Sequence, residues 1–484
     1  MKQILTNHQE EIVNNILLEI EECITLTNPI DKFVELNGAA GVGKTFSTIH
    51  IVKELRKNKR VIAFAAPTHA AVSVIKKINK ETGKDMFLGT IHSFLELVVE
   101  NDLDTGEKII KSSSDSLSNK CDILIIDEKS MLCQDILDKI YHGIRQKAIK
   151  AVLLIGDGYQ LPCVNGTPPK KFPNFHELTE IVRQQKNSPI IKLSSTVRQS
   201  IEDKEYPSID NILKLINQDI KIFENENEFL NHYYNVTDEE NDKIIGAYEN
   251  VTVNQYNSKI FNTLHPNSEY VEKGFSFILQ NTNNTFFEDK WIHTHNNGEK
   301  IYIDKVKKIT YQDLYSADLN KYELRELQLF EKQVLDVFEE YEINMQDVIG
   351  EVEYYYCKDT EQRTIIILSE NSEIRLKYIL DTLKENALAA DSSYERKQLF
   401  RLFFNLRKLF ANVKYSYSNT FHKLQGSTYK HVGIDIRSIE NNSGKPKDLQ
   451  DTIFRLLYVG ITRASDTLFI LRNKPVLVGG ILEF

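Results

Sequence analysis

The sequence has little cysteine and no pattern that would tie its cysteines together. The five cysteines lie at positions 23, 121, 133, 163 and 357, with no Cys-x-x-Cys pair and no histidine cluster at metal-ligand spacing. Neither a zinc ribbon nor a disulfide framework is therefore indicated. We expect the protein to work in a reducing compartment.

Long apolar runs and an excess of positive charge are also missing. No apolar segment approaches the ~18 residues needed to cross a bilayer, and the first residues, MKQILTNHQE, lack the apolar core of a secretory leader. We therefore expect a soluble, cytoplasmic protein.

The net charge of −9 argues against a surface that is basic all over. An acidic protein can nevertheless hold a nucleic acid in a narrow groove, so this class of partner is not excluded.

The chain contains ample apolar material for packed cores. With 484 residues, 41% of them apolar, it should form roughly two to four domains. We find no internal repeat or low-complexity segment in the sequence.

The most informative segment is a glycine-rich loop. It reads G-A-A-G-V-G-K-T, follows an apolar run at residues 33–36 and precedes a helix-forming segment at residues 46–55. This order fits the phosphate-binding pattern G-x-x-x-x-G-K-[ST], in which backbone N–H groups surround a polyphosphate. The lysine reaches the outer phosphates and the threonine ligates magnesium, so a nucleoside triphosphate is the expected ligand. The predicted binding residues are Gly38, Ala39, Ala40, Gly41, Val42, Gly43, Lys44 and Thr45.

Three apolar strands are predicted at residues 60–66, 121–127 and 151–157, and helices alternate with them. Runs that are apolar on both faces indicate a parallel sheet covered on both sides, with ligands at the carboxyl ends of its strands. Asp127 and Glu128 lie at one such end, where one carboxylate can hold magnesium and the other can polarise the attacking water. Gln160 follows the next strand and can orient that water. A solvated strand end is the alternative for the two acids.

A second α/β pattern begins near residue 187 and is interrupted. Between residues 271 and 309, short alternating strands around an Asn-Asn-Gly turn suggest a small antiparallel barrel. A charged helix is predicted at 311–343, where a packed helix is favoured over a coiled-coil partner site. Strands at 352–356 and 364–368 and a helix at 395–410 follow. The α/β pattern returns at residue 414.

Taken together, these segments resemble the motor of superfamily 1 helicases, in order along nearly the whole chain. Gln9 resembles the adenine-reading glutamine, and residues 38–45 resemble motif I. A-P-T-H-A-A at 66–71, T-I-H-S at 90–93, D-E-K-S at 127–130 and G-D-G-Y-Q-L-P at 156–162 resemble motifs Ia, Ib, II and III. Arg183 in L-T-E-I-V-R-Q, T-F-H-K-L-Q-G-S at 420–427 and Y-V-G-I-T-R at 458–463 resemble motifs IV, V and VI. The residues of motifs Ia and V are similar to those of the phage Dda-type branch of this superfamily, which is related to RecD.

The resemblance implies an α/β fold with two RecA-like P-loop motor domains, a β-hairpin pin in the first and an SH3-like and helical insertion in the second. The implied ranges are 1–186 for the first motor domain with the pin at about 96–119, 187–270 and 413–484 for the second, and 271–412 for the insertion.

The implied activity is ATP hydrolysis between the two motor domains, coupled to movement on DNA. The catalytic residues carried over are Lys44, Asp127, Glu128, Gln160, Arg183 and Arg463. Gln9 and Gly426 join the phosphate loop as nucleotide contacts, and Thr45 and Asp127 hold Mg²⁺. The positions that match single-stranded DNA contacts are Pro67, Thr68, His69, Thr90, His92, Thr420, His422 and Lys423.

The expected partners are single-stranded and fork DNA, with single-strand-binding or replisome proteins as further ones. We expect a monomer that takes part in phage-type DNA replication or recombination, in the host cytoplasm if the gene is phage-encoded. A translocase that displaces proteins without processive unwinding, and a catalytically silent DNA-binding scaffold, are the alternatives. A scaffold would be expected to lose Lys44, Glu128, Gln160 or Arg463, all of which are present. A metabolic P-loop kinase would not need the motifs at 420–463.

The sequence departs from the helicase pattern at three places. Lys129 stands where a small or apolar residue is usual, Cys163 replaces a proline after Gln160 and Leu161, and no proline follows T-I-H-S. The missing proline removes an expected base-stacking contact. The interval between Ser93 and Asp127 is too short for the large helical domain of the 3′-to-5′ branch, and has room only for a hairpin. We therefore expect 5′-to-3′ movement.

Overall fold

The computed structural model shows a mixed α/β chain. It describes residues 5–68, 71–72, 86–103, 105–106, 108–112, 117–163, 172–180, 188–214, 220–237, 239–287, 290–310, 324–325, 327–328, 353–440 and 444–473. Arg183 and His69 lie outside the described residues, as does the predicted helix at 311–343 except for 324–325 and 327–328.

The first lobe comprises the described residues of 5–180 without the hairpin at 97–112. Its helices are α1 (Asn7–Thr25), α2 (Lys44–Lys57), α3 (Ile91–Phe94) and α4 (Gln134–Arg145), with 3₁₀ turns at Pro29–Lys32 and Lys129–Met131. The strands of lobe and hairpin, in chain order, are β1 (Phe33–Gly38), β2 (Ile62–Ala66), β3 (Phe87–Thr90), β4 (Leu97–Asn101), β5 (Lys108–Ser112), β6 (Cys121–Ile126), β7 (Ile149–Gly156) and β8 (Asn174–Leu178).

Six of these strands form one parallel sheet in the order β3-β2-β6-β7-β1-β8. The inner strands are buried along nearly their whole length. A strand covered on both faces needs apolar residues on both, which explains the unbroken apolar runs in the sequence. The predicted parallel sheet is confirmed.

Helix α1 begins with a capping box. The Thr6 hydroxyl accepts a hydrogen bond from the Gln9 backbone N–H, and the Gln9 side chain accepts one from the Thr6 backbone N–H. Both interactions satisfy donors that a helix start leaves unpaired. Ile12, Ile16 and Ile20 recur at helical spacing and are buried in the core of the first lobe.

The second lobe comprises residues 188–256 and 417–473, as far as they are described. Its first part contains α5 (Pro189–Asp203), α6 (Ile209–Lys214), α7 (Glu226–Asn235), a 3₁₀ turn at Glu240–Asp242 and α8 (Asn250–Leu264). Strands β9 (Lys221–Phe223) and β10 (Lys243–Ala247) belong to the same part. The chain leaves the lobe within α8.

The insertion contains a small barrel and two helices. Its strands are β11 (Ser276–Leu279), β12 (Asn283–Phe287), β13 (Lys290–His295), β14 (Lys300–Thr310), β15 (Glu353–Asp359), β16 (Thr364–Leu368) and β17 (Val413–Tyr415). Five strands pair in the antiparallel order β16-β15-β14-β11-β17, and a bridge between Ile367 and Ala411 joins the two ends. The sequence predicts the barrel within residues 271–309, but only β11 and β14 of the five strands come from that part of the chain. Strands β15, β16 and β17 come from later segments, and β12 and β13 form a separate hairpin.

The helices of the insertion are α9 (Glu370–Ala389) and α10 (Ser393–Leu409). Helix α10 was predicted from the sequence, but α9 was not. Its pattern is obscured because Ile374, Tyr378 and Leu388 are exposed, although Leu376 and Ala387 are buried. The start of α9 did carry a signal, since the Ser369 hydroxyl caps it by accepting a hydrogen bond from the Ser372 N–H.

The second lobe resumes after the insertion. Its remaining elements are β18 (Ser418–Thr420), α11 (Phe421–Leu424), β19 (Tyr429–Asp435), α12 (Lys447–Thr462) and β20 (Ala464–Leu471). The second sheet is also parallel, in the order β18-β10-β19-β20-β9. The chain therefore contains two α/β motor lobes, as predicted.

The two sheets share a short repeat that the sequence search did not find. T-I-H-S-F at 90–94 and T-F-H-K-L at 420–424 each end an edge strand and form one helical turn. In both, the threonine hydroxyl caps the turn, Thr90 accepting from the Ser93 N–H and Thr420 from the Lys423 N–H. The two segments share only the threonine, the histidine and apolar second and fifth residues, which is too little similarity to reveal a repeat from sequence. Their equivalent places at the strand ends show that they correspond.

The hairpin of β4 and β5 was predicted from its Asp-Thr-Gly turn and is antiparallel as expected. Gly106 N–H donates to the Asp102 carbonyl over 2.8 Å, and Gly106 has a φ of 72°, which favours glycine. Leu103 packs on a cluster that includes Phe400 and Phe404 of α10.

The chain divides into two compact units. One contains both lobes, within 1–96, 113–256 and 417–484, and the other contains the hairpin and the insertion, within 97–112 and 257–416. The four domain ranges proposed from the sequence stay a prediction. No helix within the described residues is long and apolar enough to span a membrane.

Candidate nucleotide and nucleic-acid site

The phosphate loop joins β1 to α2 and depends on its glycines. Gly41 and Gly43 have φ values of 87° and 88°, in the left-handed region that other residues avoid. At Gly38, an added Cβ would lie 2.7 Å from Val42 Cγ2 and 3.2 Å from the Leu178 carbonyl oxygen. Gly38 therefore has no room for a side chain, while Gly41 and Gly43 provide the left-handed backbone of a loop that can direct N–H groups at a phosphate.

Lys44 and Thr45 begin helix α2 and line the cavity beside this loop. The Lys44 ammonium group donates to the carbonyl oxygens of Gly38 and Ala39 over 2.6 and 3.0 Å. It thus lies inside the curve of the loop, within reach of a phosphate bound there.

Gln9 lies against the phosphate loop, as its proposed role requires. It is 1% exposed, and its side-chain amide donates to the Val42 carbonyl oxygen over 3.0 Å. The same side chain closes the capping box of α1 through Thr6. Gln9 therefore ties α1 to the loop, and its reading of adenine stays a prediction.

Asp127 and Glu128 follow β6 and line the same cavity. Asp127 Oδ1 accepts a hydrogen bond from the Glu128 N–H over 2.9 Å. Glu128 has a φ of 55°, unusual for a residue with a side chain, and such strain is common at functional sites. Desolvation raises the pKa of Asp127. Desolvation and the neighbouring Asp127 charge raise the pKa of Glu128 to about 7, against the opposing effect of Arg463.

The cavity has a volume of about 170 Å³ and draws residues from both lobes. The first lobe contributes Ala40, Gly41, Lys44, Thr45, Asp127, Glu128 and Gln160, and the second contributes Gly426, Thr428, Thr462 and Arg463. The Gln160 side-chain carbonyl oxygen is buried and has no hydrogen-bond partner among the described residues. An unpaired buried acceptor is costly, so this atom fits a ligand or its attacking water. The donor set of lysine, threonine hydroxyl and carboxylate fits a magnesium-bound nucleotide.

Arg463 completes the cavity from the second lobe. It is 5% exposed, and its guanidinium donates to the carbonyl oxygens of Val459 and Ser427 and to the Thr462 hydroxyl. These contacts hold the cation in a fixed position in which its charge acts on Glu128. Gly426 is also close, since an added Cβ there would lie 3.7 Å from Glu128 Oε1.

The loop at 157–161 of the first lobe is hydrogen-bonded to helix α12 of the second lobe. The Tyr458 hydroxyl of α12 donates to buried Asp157 Oδ2 over 2.7 Å. The Arg455 guanidinium donates to the carbonyl oxygens of Gly158 and Gln160 over 2.8 and 3.0 Å. A movement of α12 would therefore shift the loop that carries Gln160.

Motif V of the second lobe reaches the same region. Gln425 donates to the Ser130 hydroxyl over 2.9 Å and to the Leu161 carbonyl oxygen over 3.4 Å. Leu161 itself is buried in the apolar core of the second lobe. Gln425, Arg455 and Tyr458 are not among the site residues predicted from the sequence, although Gln425 and Tyr458 lie inside the segments that resemble motifs V and VI.

The unusual Lys129 has a partner that the sequence analysis also missed. Its ammonium group pairs with the Glu35 carboxylate on β1, and the two side chains are only 12% and 8% exposed. The side chain passes over Gly156 of β7, where an added Cβ would lie 2.6 Å from Lys129 Cγ. The ammonium group lies 5.7 Å from the centre of the Phe175 ring on β8. The buried negative charge of Glu35 and the buried positive charge of Lys129 therefore neutralise each other.

The second lobe also has an acidic residue at the end of a strand, but this residue is paired with an arginine. Asp435 ends β19, which neighbours β10 as β6 neighbours β2. Its carboxylate is paired with the Arg437 guanidinium, the Arg437 Nη2 to Asp435 Oδ2 distance being 2.7 Å, and accepts a hydrogen bond from the Tyr256 hydroxyl. This acid is thus neutralised within the lobe.

The proposed DNA contacts lie at the carboxyl edges of both sheets. Pro67 and Thr68 follow β2. Thr90 ends β3 and His92 lies just beyond it, while Thr420 ends β18 and is followed by His422 and Lys423. Burial lowers the pKa of both His92 and His422, so both rings are neutral at neutral pH. Neutral rings suit base stacking, and a hydroxyl that accepts at a helix cap keeps its proton for a phosphate.

Comparison with known proteins points in the same direction as the motifs. An AAA domain family model matches residues 22–210. The uncharacterized protein R530 of Acanthamoeba polyphaga mimivirus is 25% identical over 512 residues, covering 96% of this chain and 99% of the relative. The ATP-dependent DNA helicase Pif1 of Campylobacter jejuni is 25% identical over 461 residues, covering 92% and 90%. The similarity to a DNA helicase that the motifs predict is confirmed by this relative.

Solved structures of Pif1 helicases are also similar. That of Candida albicans is 16% identical, with a TM-score of 0.45 and coverage of 97% of this chain and 95% of the other. That of Bacteroides in complex with ADP-AlF3 and ssDNA is 15% identical, with a TM-score of 0.48 and coverage of 98% and 94%. The strand order and register of the two parallel sheets define the fold.

Proposed function

We propose that the protein is an ATP-dependent DNA helicase that moves 5′ to 3′ on single-stranded DNA and opens duplex DNA. The observation that carries this proposal is the cavity lined by Lys44, Asp127 and Glu128 of the first lobe and by Arg463 of the second. A site shared by two lobes changes when the lobes move, so hydrolysis can drive motion.

The residues of the first lobe have separate tasks at this site. Bound ATP supplies the phosphoryl group that is transferred to water. Lys44 neutralises phosphate charge, and Thr45 and Asp127 would hold Mg²⁺. Glu128 accepts a proton from the attacking water, for which its left-handed backbone aims the carboxylate into the cavity.

The second lobe completes the reaction and connects it to DNA. Arg463 stabilises charge on the transferred group, while Gln160 of the first lobe orients the water. Gln160 lies on the loop that Arg455 and Tyr458 hold from α12. DNA bound along both sheet edges would favour one arrangement of the lobes, and through this loop favour hydrolysis. Arg183 is proposed to join Arg463.

The relative from Campylobacter jejuni, named an ATP-dependent DNA helicase, supports this reading over most of the chain. Fork DNA, a monomeric motor and a task in phage-type replication or recombination belong to the same proposal. A translocase that displaces proteins would use the same cavity, and strand displacement separates the two activities. A silent scaffold is disfavoured because the cavity retains its lysine, carboxylates and arginine.

The test is ATP hydrolysis with and without single-stranded DNA. We predict strong stimulation by DNA, and loss of hydrolysis in Lys44→Ala with DNA binding largely kept, because this lysine serves the nucleotide phosphates and is not one of the proposed DNA contacts. Lys57→Ala, at the exposed end of the same helix, is the matched control and should behave as wild type. Hydrolysis within a few-fold of wild type in Lys44→Ala, or a rate indifferent to DNA, would overturn the proposal.

A further inference from the structure

The repeat at the two sheet edges extends to the neighbouring strands. In the first sheet Ala66, the last residue of β2, lies opposite Thr90 in register. In the second sheet Ala247, the last residue of β10, lies opposite Thr420. Each threonine caps a helical turn that carries a histidine two residues later. The two edges are therefore equivalent residue by residue.

This register makes Tyr248 the counterpart of Pro67. Both residues directly follow the alanine that ends the second strand of their sheet. Pro67 belongs to the segment that resembles motif Ia and is one of the proposed DNA contacts, whereas Tyr248 lies in no motif. The equivalence places Tyr248 at the edge where DNA is expected in the second lobe.

The surroundings of Tyr248 suit a base more than a phosphate. Its side chain is 38% exposed, unlike most large rings of this lobe, and its ring centre lies 6.5 Å from that of His422 at an interplanar angle of 37°. The neutral His422 ring and the Tyr248 ring thus form an aromatic pair. Glu249 follows and is exposed, and its negative charge disfavours a phosphate at this point.

We propose that Tyr248 is a stacking platform for a base of single-stranded DNA, beside His422 in the second lobe. The proposal rests on the proposed function, because it names a further contact of the same DNA path. Aromatic rings bind successive bases without reading their sequence, so the contact should be tolerant of base identity. It also supplies a stacking ring to a chain that lacks the proline expected after T-I-H-S.

The experiment measures binding of the full-length protein to oligo-dT by fluorescence anisotropy. Tyr248→Ala should weaken binding roughly 5- to 150-fold, the range found for loss of one base–aromatic stack. Tyr248→Phe should stay within about twofold of wild type, since the ring and not the hydroxyl makes a stack. Tyr248→Leu keeps apolar bulk without a π-face and should be weak as well. Tyr378→Ala, at a 74% exposed tyrosine of α9, is the control and should bind as wild type.

A second readout distinguishes stacking from a folding defect. A 2-aminopurine placed at successive positions of the oligonucleotide should change its fluorescence on binding at one position in wild type and Tyr248→Phe, and lose that change in Tyr248→Ala. Thermal melting followed by circular dichroism checks the fold of each variant. Unchanged affinity in Tyr248→Ala and Tyr248→Leu, or a loss in Tyr248→Phe equal to that in Tyr248→Ala, would overturn the inference. Failure of wild type to bind the oligonucleotide would overturn the proposed function instead.

Discussion

At the scale of single residues, the site depends on a buried charge pair that lies next to its catalytic acids. Lys129 directly follows Glu128, whose backbone is in the left-handed region, and pairs with Glu35 on β1. Because the Lys129 side chain pairs with Glu35 on β1 and passes over Gly156 on β7, it joins these two strands to the segment that carries Glu128. The pair therefore fixes the start of the 3₁₀ turn from which Glu128 reaches into the cavity.

We predict that Lys129→Met lowers the free energy of unfolding by about 3–5 kcal/mol, because it leaves the Glu35 carboxylate buried without a partner. The double variant Glu35→Gln with Lys129→Met should recover most of that loss, since no net charge stays buried. Urea denaturation measures both.

Lys57→Met removes an exposed pair with Glu54 and is the control, with an expected change below about 1 kcal/mol. If Lys129→Met were as mild as Lys57→Met, the pair would not hold the loop. The value of kcat for ATP hydrolysis should fall in Lys129→Met and recover in the double variant.

At the scale of elements, the local motifs were predictable and their long-range partners were not. The phosphate loop, the hairpin turn and the strand ahead of Asp127 each depend on residues that are neighbours in sequence. The contact between Tyr458 and Asp157 joins residues far apart in the chain, so no local pattern reveals it. Helix α9 was missed because exposed Tyr378 and Ile374 hide its apolar stripe.

The hairpin of β4 and β5 is the element proposed as the strand-separating pin. Its tip is anchored by Leu103 and lies so close to Phe400 that a side chain at Gly106 would overlap the ring. An anchored tip can stay in place while the DNA is pulled against it. Splitting the duplex costs roughly 1.4 kcal/mol of free energy per base-pair step.

We predict that replacing residues 101–113 by a short Gly-Ser turn keeps DNA-stimulated ATP hydrolysis and abolishes unwinding of 5′-tailed duplexes. Pulling on the strand and splitting the duplex would then be separable. The control replaces the Asn296–Gly298 turn of the insertion by Gly-Ser and should unwind normally. Unwinding that survives loss of the hairpin would place the pin elsewhere.

The small barrel contains a buried titratable network. His295 is fully buried and lies 3.2 Å from Asp359 Oδ2, while the Arg363 guanidinium pairs with both Asp359 and Glu299. Desolvation and the positive charge of Arg363 lower the pKa of His295, and outweigh the two carboxylates. The folded protein thus holds a neutral ring that the unfolded chain protonates below its ordinary pKa near 6.5.

We predict that the protein loses thermal stability as the pH falls below about 6.5, since the unfolded state then binds the proton more readily. His295→Gln should make melting less dependent on pH between 7 and 5.5, measured by differential scanning calorimetry. Stability that rises on acidification, or a His295→Gln profile parallel to wild type, would contradict the account.

At the scale of the whole molecule, two equivalent sheets carry unequal chemistry. Both sheets end in a threonine-capped turn with a neutral histidine at one edge, which suits a strand of DNA in contact with each lobe. Among the described residues, the carboxylates that line the cavity, Asp127 and Glu128, belong to the first lobe, whereas Asp435 of the second lobe is paired with Arg437. The proposed motor thus has one nucleotide cavity lined by both lobes and a proposed DNA edge on each lobe.

The most direct test compares ATP-dependent unwinding of duplexes with a single 5′ tail and with a single 3′ tail. We predict that the intact protein opens the 5′-tailed duplex and leaves the 3′-tailed duplex closed, and that Lys44→Ala opens neither. Preferential opening of the 3′-tailed duplex would contradict the assigned direction, and opening of either duplex by Lys44→Ala would contradict the motor itself.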